Sequence, residues 1–242
     1  MPKLTVVAIL IALLPLTFSA ACATPSPAPP APAATSVPAP AQAAISMKMD
    51  EPIGEPPTVG WKWVVAALNS ENERATATES HGFFWVYYAV TGSTEVTTAN
   101  VTKTVPSGEA VLIPARQQHS HRYFPQSKIL IFDVRDTSDV PTAFHQGSQL
   151  FQSDKLELRS LTNPKLRIRE YTLPPGSRTA DLTIDPNFGY VLEGILTTTA
   201  GSESNTSRTE AGKTFTLPLN VELSASNAGT TPVRFILVDV HP

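Results

Sequence analysis

The feature that most constrains this chain is an internal repeat. Tyr88-Ala89-Val90-Thr91-Gly92 returns as Tyr190-Val191-Leu192-Glu193-Gly194, and Gly108 to Pro114 (GEAVLIP) returns as Gly212 to Pro218 (GKTFTLP). The ends agree as well, since Ile129 to Val134 (ILIFDV) parallels Phe235 to Val240 (FILVDV). Matches spread over a whole unit at a nearly fixed offset mean that one supersecondary plan is used twice. Within each copy, short apolar runs are broken by Gly, Pro, Asn and Ser, which is the texture of strands joined by turns. The expected strands are 63–67, 83–90, 94–98, 110–113, 120–123 and 129–134 in the first copy. The second copy supplies 166–172, 189–192, 195–199, 214–217, 221–225 and 233–240. The fold class is therefore all-β, with two tandem β-barrels that close on themselves to protect their edge strands. The first unit is expected over 58–140 and the second over 165–242. A connector, 141–164, lacks the strand texture and suits a short helix.

Ahead of the repeat the composition changes. Lys3 precedes an apolar run, Leu4 to Phe18, and Ser19-Ala20-Ala21 offers the small residues of a cleavage site, so residues 1–21 read as a secretory signal peptide. The run is too short to favour a permanent span. Cys22 follows at once and is the sole cysteine of 242 residues, which rules out an internal disulfide. Its placement resembles the lipobox of bacterial lipoproteins, with Ser19 where that motif usually has Leu. The resemblance implies a lipidated Cys22, a membrane partner through this anchor and an extracytoplasmic place in the bacterial cell envelope. Without lipidation, the chain would simply be secreted. Residues 22–57 are expected to be a disordered Pro/Ala-rich linker. At ~3.1 Å per residue, two dozen extended residues would reach ~70 Å.

A net charge of −3 and the lack of a basic cluster argue against a nucleic-acid partner. The residues with chemistry lie in the first copy. Residues two apart on a strand share a face, so His119 and His121 project together, as do Glu79 and His81. Three imidazoles and a carboxylate suit a first-row transition ion such as Fe, Mn, Ni, Cu or Zn. A solvated His-x-His face without any metal is the open alternative. No Gly-x-Ser-x-Gly elbow accompanies Ser120, so a serine hydrolase is not indicated.

These motifs resemble the cupins. Gly108, Pro114 and His119 keep the spacing of the second cupin motif, with Arg116 at its Gly position and Tyr123 at its Asn position. Glu79-x-His81 stands at the His-x-His of the first motif, and Trp85 replaces its Glu. The second copy keeps Gly212, Pro218 and Asn227 but has Leu223 in place of the histidine, and Asp181, Thr183 and Asn187 at the first-motif positions. The resemblance implies a bicupin, two double-stranded jelly rolls, with any metal held in the first by His81, His119, His121 and Glu79. Trp85, Tyr87 and Arg116 are the candidate ligand-pocket residues. Two functions stay open: a membrane-tethered, non-catalytic protein that binds a small molecule, and a metal-dependent, dioxygenase-like enzyme with its site in the first barrel.

Overall fold

The computed structural model describes residues 42–54, 61–99, 101–136, 147–153, 163–179, 182, 187–201, 205–217 and 221–241. The signal segment and Cys22 lie outside them. Seventeen strands and no helix occur among the described residues. They are β1 (Ala44–Pro52), β2 (Trp61–Ser70), β3 (Arg74–Ala75), β4 (Trp85–Thr91), β5 (Ser93–Thr98), β6 (Val101–Pro106), β7 (Ala110–Ile113), β8 (His119–Tyr123) and β9 (Ser127–Asp136). After these come β10 (Ser148–Gln152), β11 (Lys165–Leu173), β12 (Asn187–Glu193), β13 (Ile195–Ala200), β14 (Thr206–Glu210), β15 (Thr214–Leu217), β16 (Leu223–Ser226) and β17 (Val233–His241).

Each barrel is a five-stranded sheet facing a smaller one. The N-terminal barrel has β10-β2-β9-β4-β7 opposite β3-β8-β5-β6, and the C-terminal barrel has β1-β11-β17-β12-β15 opposite β14-β13-β16. Alternation along the strands fills three cores. On β2, Trp61, Trp63, Val65 and Ala67 join Val86, Phe132, Phe188, Ile236 and Val238 in the layer between the two large sheets. The other faces fill the barrels, with Tyr87, Ile113, Tyr123, Ile129 and Ile131 in the first and Tyr171, Leu196, Phe215, Leu223 and Phe235 in the second. Large antiparallel sheets with both faces buried need apolar residues at nearly every position, and β2 is buried at nine of ten.

The duplication is structural as well as textual. Gly108 and Gly212 take φ of 80° and 84°, a left-handed turn that an L side chain resists. Gly108 N–H donates to Ala89 O at 2.7 Å and Gly212 N–H to Val191 O at 2.8 Å. The register of β4 on β9 slips between Ala89 and Thr91, and that of β12 on β17 between Val191 and Glu193.

The boundaries differ from the sequence expectation in two places. Residues 44–52, expected inside the disordered linker, form β1 and pair with β11 from Ala44↔Thr172 to Pro52↔Lys165. Five connector residues, Ser148–Gln152, form β10 rather than helix and pair with β2. Each large sheet thus takes an edge strand from outside its own repeat unit. Both segments escape a sequence reading because edge strands are half exposed and carry little apolar alternation.

Candidate metal centre

A short antiparallel path brings the candidate ligands together. β3 pairs with the end of β8, and the chain then runs on alongside it: Thr76 N–H donates to His121 O at 2.9 Å, and Glu79 and His119 exchange backbone bonds of 2.8 and 2.9 Å. Arg116 N–H donates to His81 O at 2.7 Å, which ties the loop ahead of β8 to the same segment. Arg116 holds φ of 61°, so the cupin Gly position keeps its left-handed backbone although a side chain is present. That side chain is exposed.

The four polar groups converge on one carboxylate oxygen. Glu79 Oε1 lies 3.8 Å from His81 Nε2, 4.0 Å from His119 Nε2 and 3.5 Å from His121 Nε2. The ligand atoms of Glu79, His81 and His119 all fall within 4.8 Å of one another. An ion with bonds of about 2.1 Å needs ligand atoms about 3.0–4.2 Å apart, so small side-chain rotations would close this group on a metal. Glu79, His81 and His119 could hold an ion, and His121 stands against the same oxygen.

None of the three Nε2 atoms, all buried, makes a hydrogen bond. Such a group costs roughly 1–3 kcal/mol when left unsatisfied. For His119, Nδ1 is 2.8 Å from Gln117 O; donating there puts the lone pair on Nε2, toward the centre, as metal-binding imidazoles require. Burial disfavours the charged ring, lowering the pKa of His119 and taking that of His121 down to about 3, with its imidazole neighbours adding to both shifts. Neutral imidazole is the form that ligates cations.

Aromatic rings wall the site. Trp85 stacks on His81 with ring centroids 3.6 Å apart and planes 5° from parallel. Tyr87 lies 4.2 Å from His121, and Tyr123 stacks on the same ring at 5.8 Å. Trp85 and Tyr87 therefore pack against the imidazoles, while Arg116 enters through its backbone. Sequence reading missed Gln117, Thr76 and the packing role of Tyr123. Gln117 acts through its carbonyl, which carries no side-chain signature. The side chains of His119 and His121 are wholly buried, whereas Glu79 and His81 keep 25% and 20% exposure, so the centre is open on their side.

In the C-terminal barrel, Leu223 and Ala225 occupy the places of His119 and His121 and are buried in its apolar core. Asp181 and Thr183 lie outside the described residues.

No protein-family model matches the sequence, and no curated protein does. Solved structures do match. AerE from Microcystis aeruginosa is similar over 81% of this chain and 99% of its own, with a TM-score of 0.52 and 14% identity. Oxalate decarboxylase OxdC from Bacillus subtilis is similar over 75% and 69%, with a TM-score of 0.54 and 13% identity. A further structure of the Bacillus subtilis oxalate decarboxylase, a study of its Mn(II) centres, aligns over 82% and 76% at a TM-score of 0.55 and 13% identity. At such identities the likeness establishes the fold, an all-β pair of tandem cupin-like barrels.

Proposed function

We propose that the N-terminal barrel binds one first-row transition ion through Glu79, His81, His119 and His121, and uses the open side of that ion to take a small-molecule ligand. The observation that carries this reading is the convergence of three unpartnered, buried Nε2 atoms within 4.0 Å of one Glu79 oxygen. Three nitrogens and one oxygen favour Mn, Fe, Ni, Cu or Zn over Mg or Ca. The Mn(II) centres of the similar oxalate decarboxylase are consistent with manganese among these. The C-terminal barrel serves as structural support.

The leading role is ligand capture without chemistry, by an extracytoplasmic protein tethered in the cell envelope through a lipid on Cys22. The sequence around Cys22 supports the tether, and the partial loss of cupin ligands supports capture. A metal-dependent enzyme is the second reading, favoured by the exposure of Glu79 and His81, because catalytic ions keep an open coordination position.

Elemental analysis after reconstitution with each ion in turn tests the centre. One ion per chain is expected in the wild type and none in His119→Ala. Equal metal content in the two would overturn the reading. Release of Cys22→Ser from membranes, against retention of the wild type, tests the tether.

A further inference from the structure

The barrels meet at two junctions that the repeat makes equivalent, and only one of them carries an acid. At the first, Tyr88 Oη donates to Glu170 at 3.2 Å, and the same carboxylate has Lys48 Nζ at 3.5 Å and Arg234 Nε at 2.9 Å. Strand register identifies the second. Tyr88 and Ala67 both pair with Leu130 on β9, as Tyr190 and Glu170 both pair with Ile236 on β17. Tyr190 is therefore the counterpart of Tyr88, and Ala67 that of Glu170; both lie in the inter-barrel core. Lys128 precedes Ile129 as Arg234 precedes Phe235, which makes it the counterpart of Arg234. The irregularities of the two edge strands match as well, between Met47 and Met49 on β1 and between Gln149 and Phe151 on β10, so Leu150 holds the place of Lys48.

The second junction keeps the hydroxyl and one cation and has no Glu170. Tyr190 is 1% exposed, and its Oη is buried without a hydrogen bond. Lys128 Nζ lies over its ring, 5.6 Å from the centroid. The two groups converge beside Gly212. A carbon placed where this glycine lacks its Cβ would meet, beyond the glycine's own chain neighbours, only Lys128 Nζ and Tyr190 Oη within 4 Å, each at 3.9 Å. Space for a heavy atom is thus framed by an ammonium and a hydroxyl. A buried hydroxyl without a partner costs roughly 1–3 kcal/mol, and the equivalent hydroxyl of the first junction finds Glu170. A carboxylate offers one oxygen to each donor, in charge-assisted bonds stronger than neutral ones. Its single charge matches the single lysine, because Leu150 has replaced the second cation. Ala67 and Leu150 put apolar groups where Glu170 and Lys48 stand, which suits a short hydrocarbon tail.

We propose that this junction is a binding site for a small monocarboxylate. Its head group stands between Tyr190 Oη and Lys128 Nζ, as the Glu170 carboxylate stands in the first junction, and its apolar tail lies toward Ala67 and Leu150. The site bridges the barrels, since Lys128 belongs to the first and Tyr190 to the second. It requires neither the ion nor the imidazoles of the N-terminal barrel.

Propionate is the probe, with uncharged propionamide as its isostere. Ligand-detected NMR titration of the full chain, freed of metal by chelator and then of chelator, keeps any ion from competing. The wild type is expected to bind propionate about tenfold more tightly than propionamide. Lys128→Met and Tyr190→Phe should each weaken propionate about tenfold. Lys213→Met, which removes an exposed lysine next to Gly212, should match the wild type. Ala67→Glu writes the first junction's acid into the second and should abolish propionate binding. In the absence of propionate, Tyr190→Phe should melt no lower than the wild type, because its hydroxyl has no bond to lose; a hydroxyl with a purely structural role would lower the melting temperature. Propionate bound equally by the wild type and Lys128→Met overturns the site, as does propionamide bound as well as propionate, or no propionate binding at all. Because every titration is free of metal, these outcomes neither need the metal centre nor decide it.

Discussion

The two barrels follow one backbone plan and put opposite things inside it. In the C-terminal barrel the ring of Phe215 lies against Gly189 so closely that a Cβ there would collide with it. The matching positions of the N-terminal barrel are Val111 and Tyr87, and the ring of Tyr87 packs tilted against His121. Leu223 and Ala225 join an apolar core in one barrel, while His119 and His121 line the other. The contrast shows what a jelly roll asks of its interior: volume must be filled, and polar atoms must find partners. The C-terminal barrel meets the first with apolar side chains and leaves few polar atoms, Tyr171 Oη and Arg169 Nε among them, without a hydrogen bond. The N-terminal barrel meets the first with rings and leaves the Nε2 atoms of His81, His119 and His121 without a hydrogen bond, which the proposed ion would satisfy.

The sharpest way to test this contrast is to write one barrel into the other. His119→Leu with His121→Ala copies the C-terminal residues, and metal content is expected to fall from one ion per chain to none by mass spectrometry of the reconstituted protein. Retained metal would place the ion elsewhere. The reverse test hollows the filled barrel. Phe215→Ala removes a core ring and should cost about 3–5 kcal/mol in urea unfolding, with metal uptake unchanged. A loss of metal in this variant would mean that the barrels do not divide filling and binding between them.

A smaller effect is expected where the barrels join. Glu170 accepts from Tyr88 of the other barrel at 3.2 Å and from Arg234 Nε at 2.9 Å, with Lys48 Nζ 3.5 Å away. Burial pushes its pKa up, but the Arg234 hydrogen bond and charge, with Lys48 and Tyr88, outweigh burial and hold it below the usual value. A depressed carboxylate stabilises fully above its unfolded pKa, near 4.5, and that stability is lost as pH falls below it. Metal-free wild type should therefore lose melting temperature on acidification from pH 5 to 3, and Glu170→Gln should lose about 2–4 °C less over that window. Parallel curves would remove Glu170 from the junction's acid response.

The smallest change is Arg116→Gly. It restores the residue that a left-handed φ prefers and should stabilise the fold by about 0.5–1 kcal/mol. Metal content should hold, because Arg116 contributes its N–H to His81 O, a bond that glycine also makes. A fall in metal content would give the guanidinium a role at the centre.

The repeat made the fold readable. Tyr88 and Tyr190, Gly108 and Gly212, and the paired endings lie on β4, β9, β12, β17 and their turns, where burial on two faces leaves a dense apolar record. Strands β1, β3, β6, β10 and β14 were not expected, since each is short, at an edge or largely exposed, and its pairing is decided by a distant partner. At the centre, His119 and His121 were legible from spacing because side chains two apart on β8 share a face, whereas Glu79 and His81 lie on a segment outside the named strands, tied to β8 by the Glu79–His119 bridge. The stack of Trp85 on His81 was not legible, for it depends on how the segment after β3 folds back along β8.

The course of β1 has a mechanical consequence. The chain ahead of Ala44 enters the described body through this strand, which is zipped to β11 of the C-terminal barrel with an irregularity between Met47 and Met49. A pull directed along β1 loads that ladder of backbone bonds in parallel, whereas a pull away from the sheet breaks them one pair at a time, beginning at Ala44↔Thr172. In both directions the strain falls first on the barrel that holds no candidate ligands. Under tension from its N-terminal side, the molecule would shed β1 before the loop carrying Glu79 and His81 felt any load.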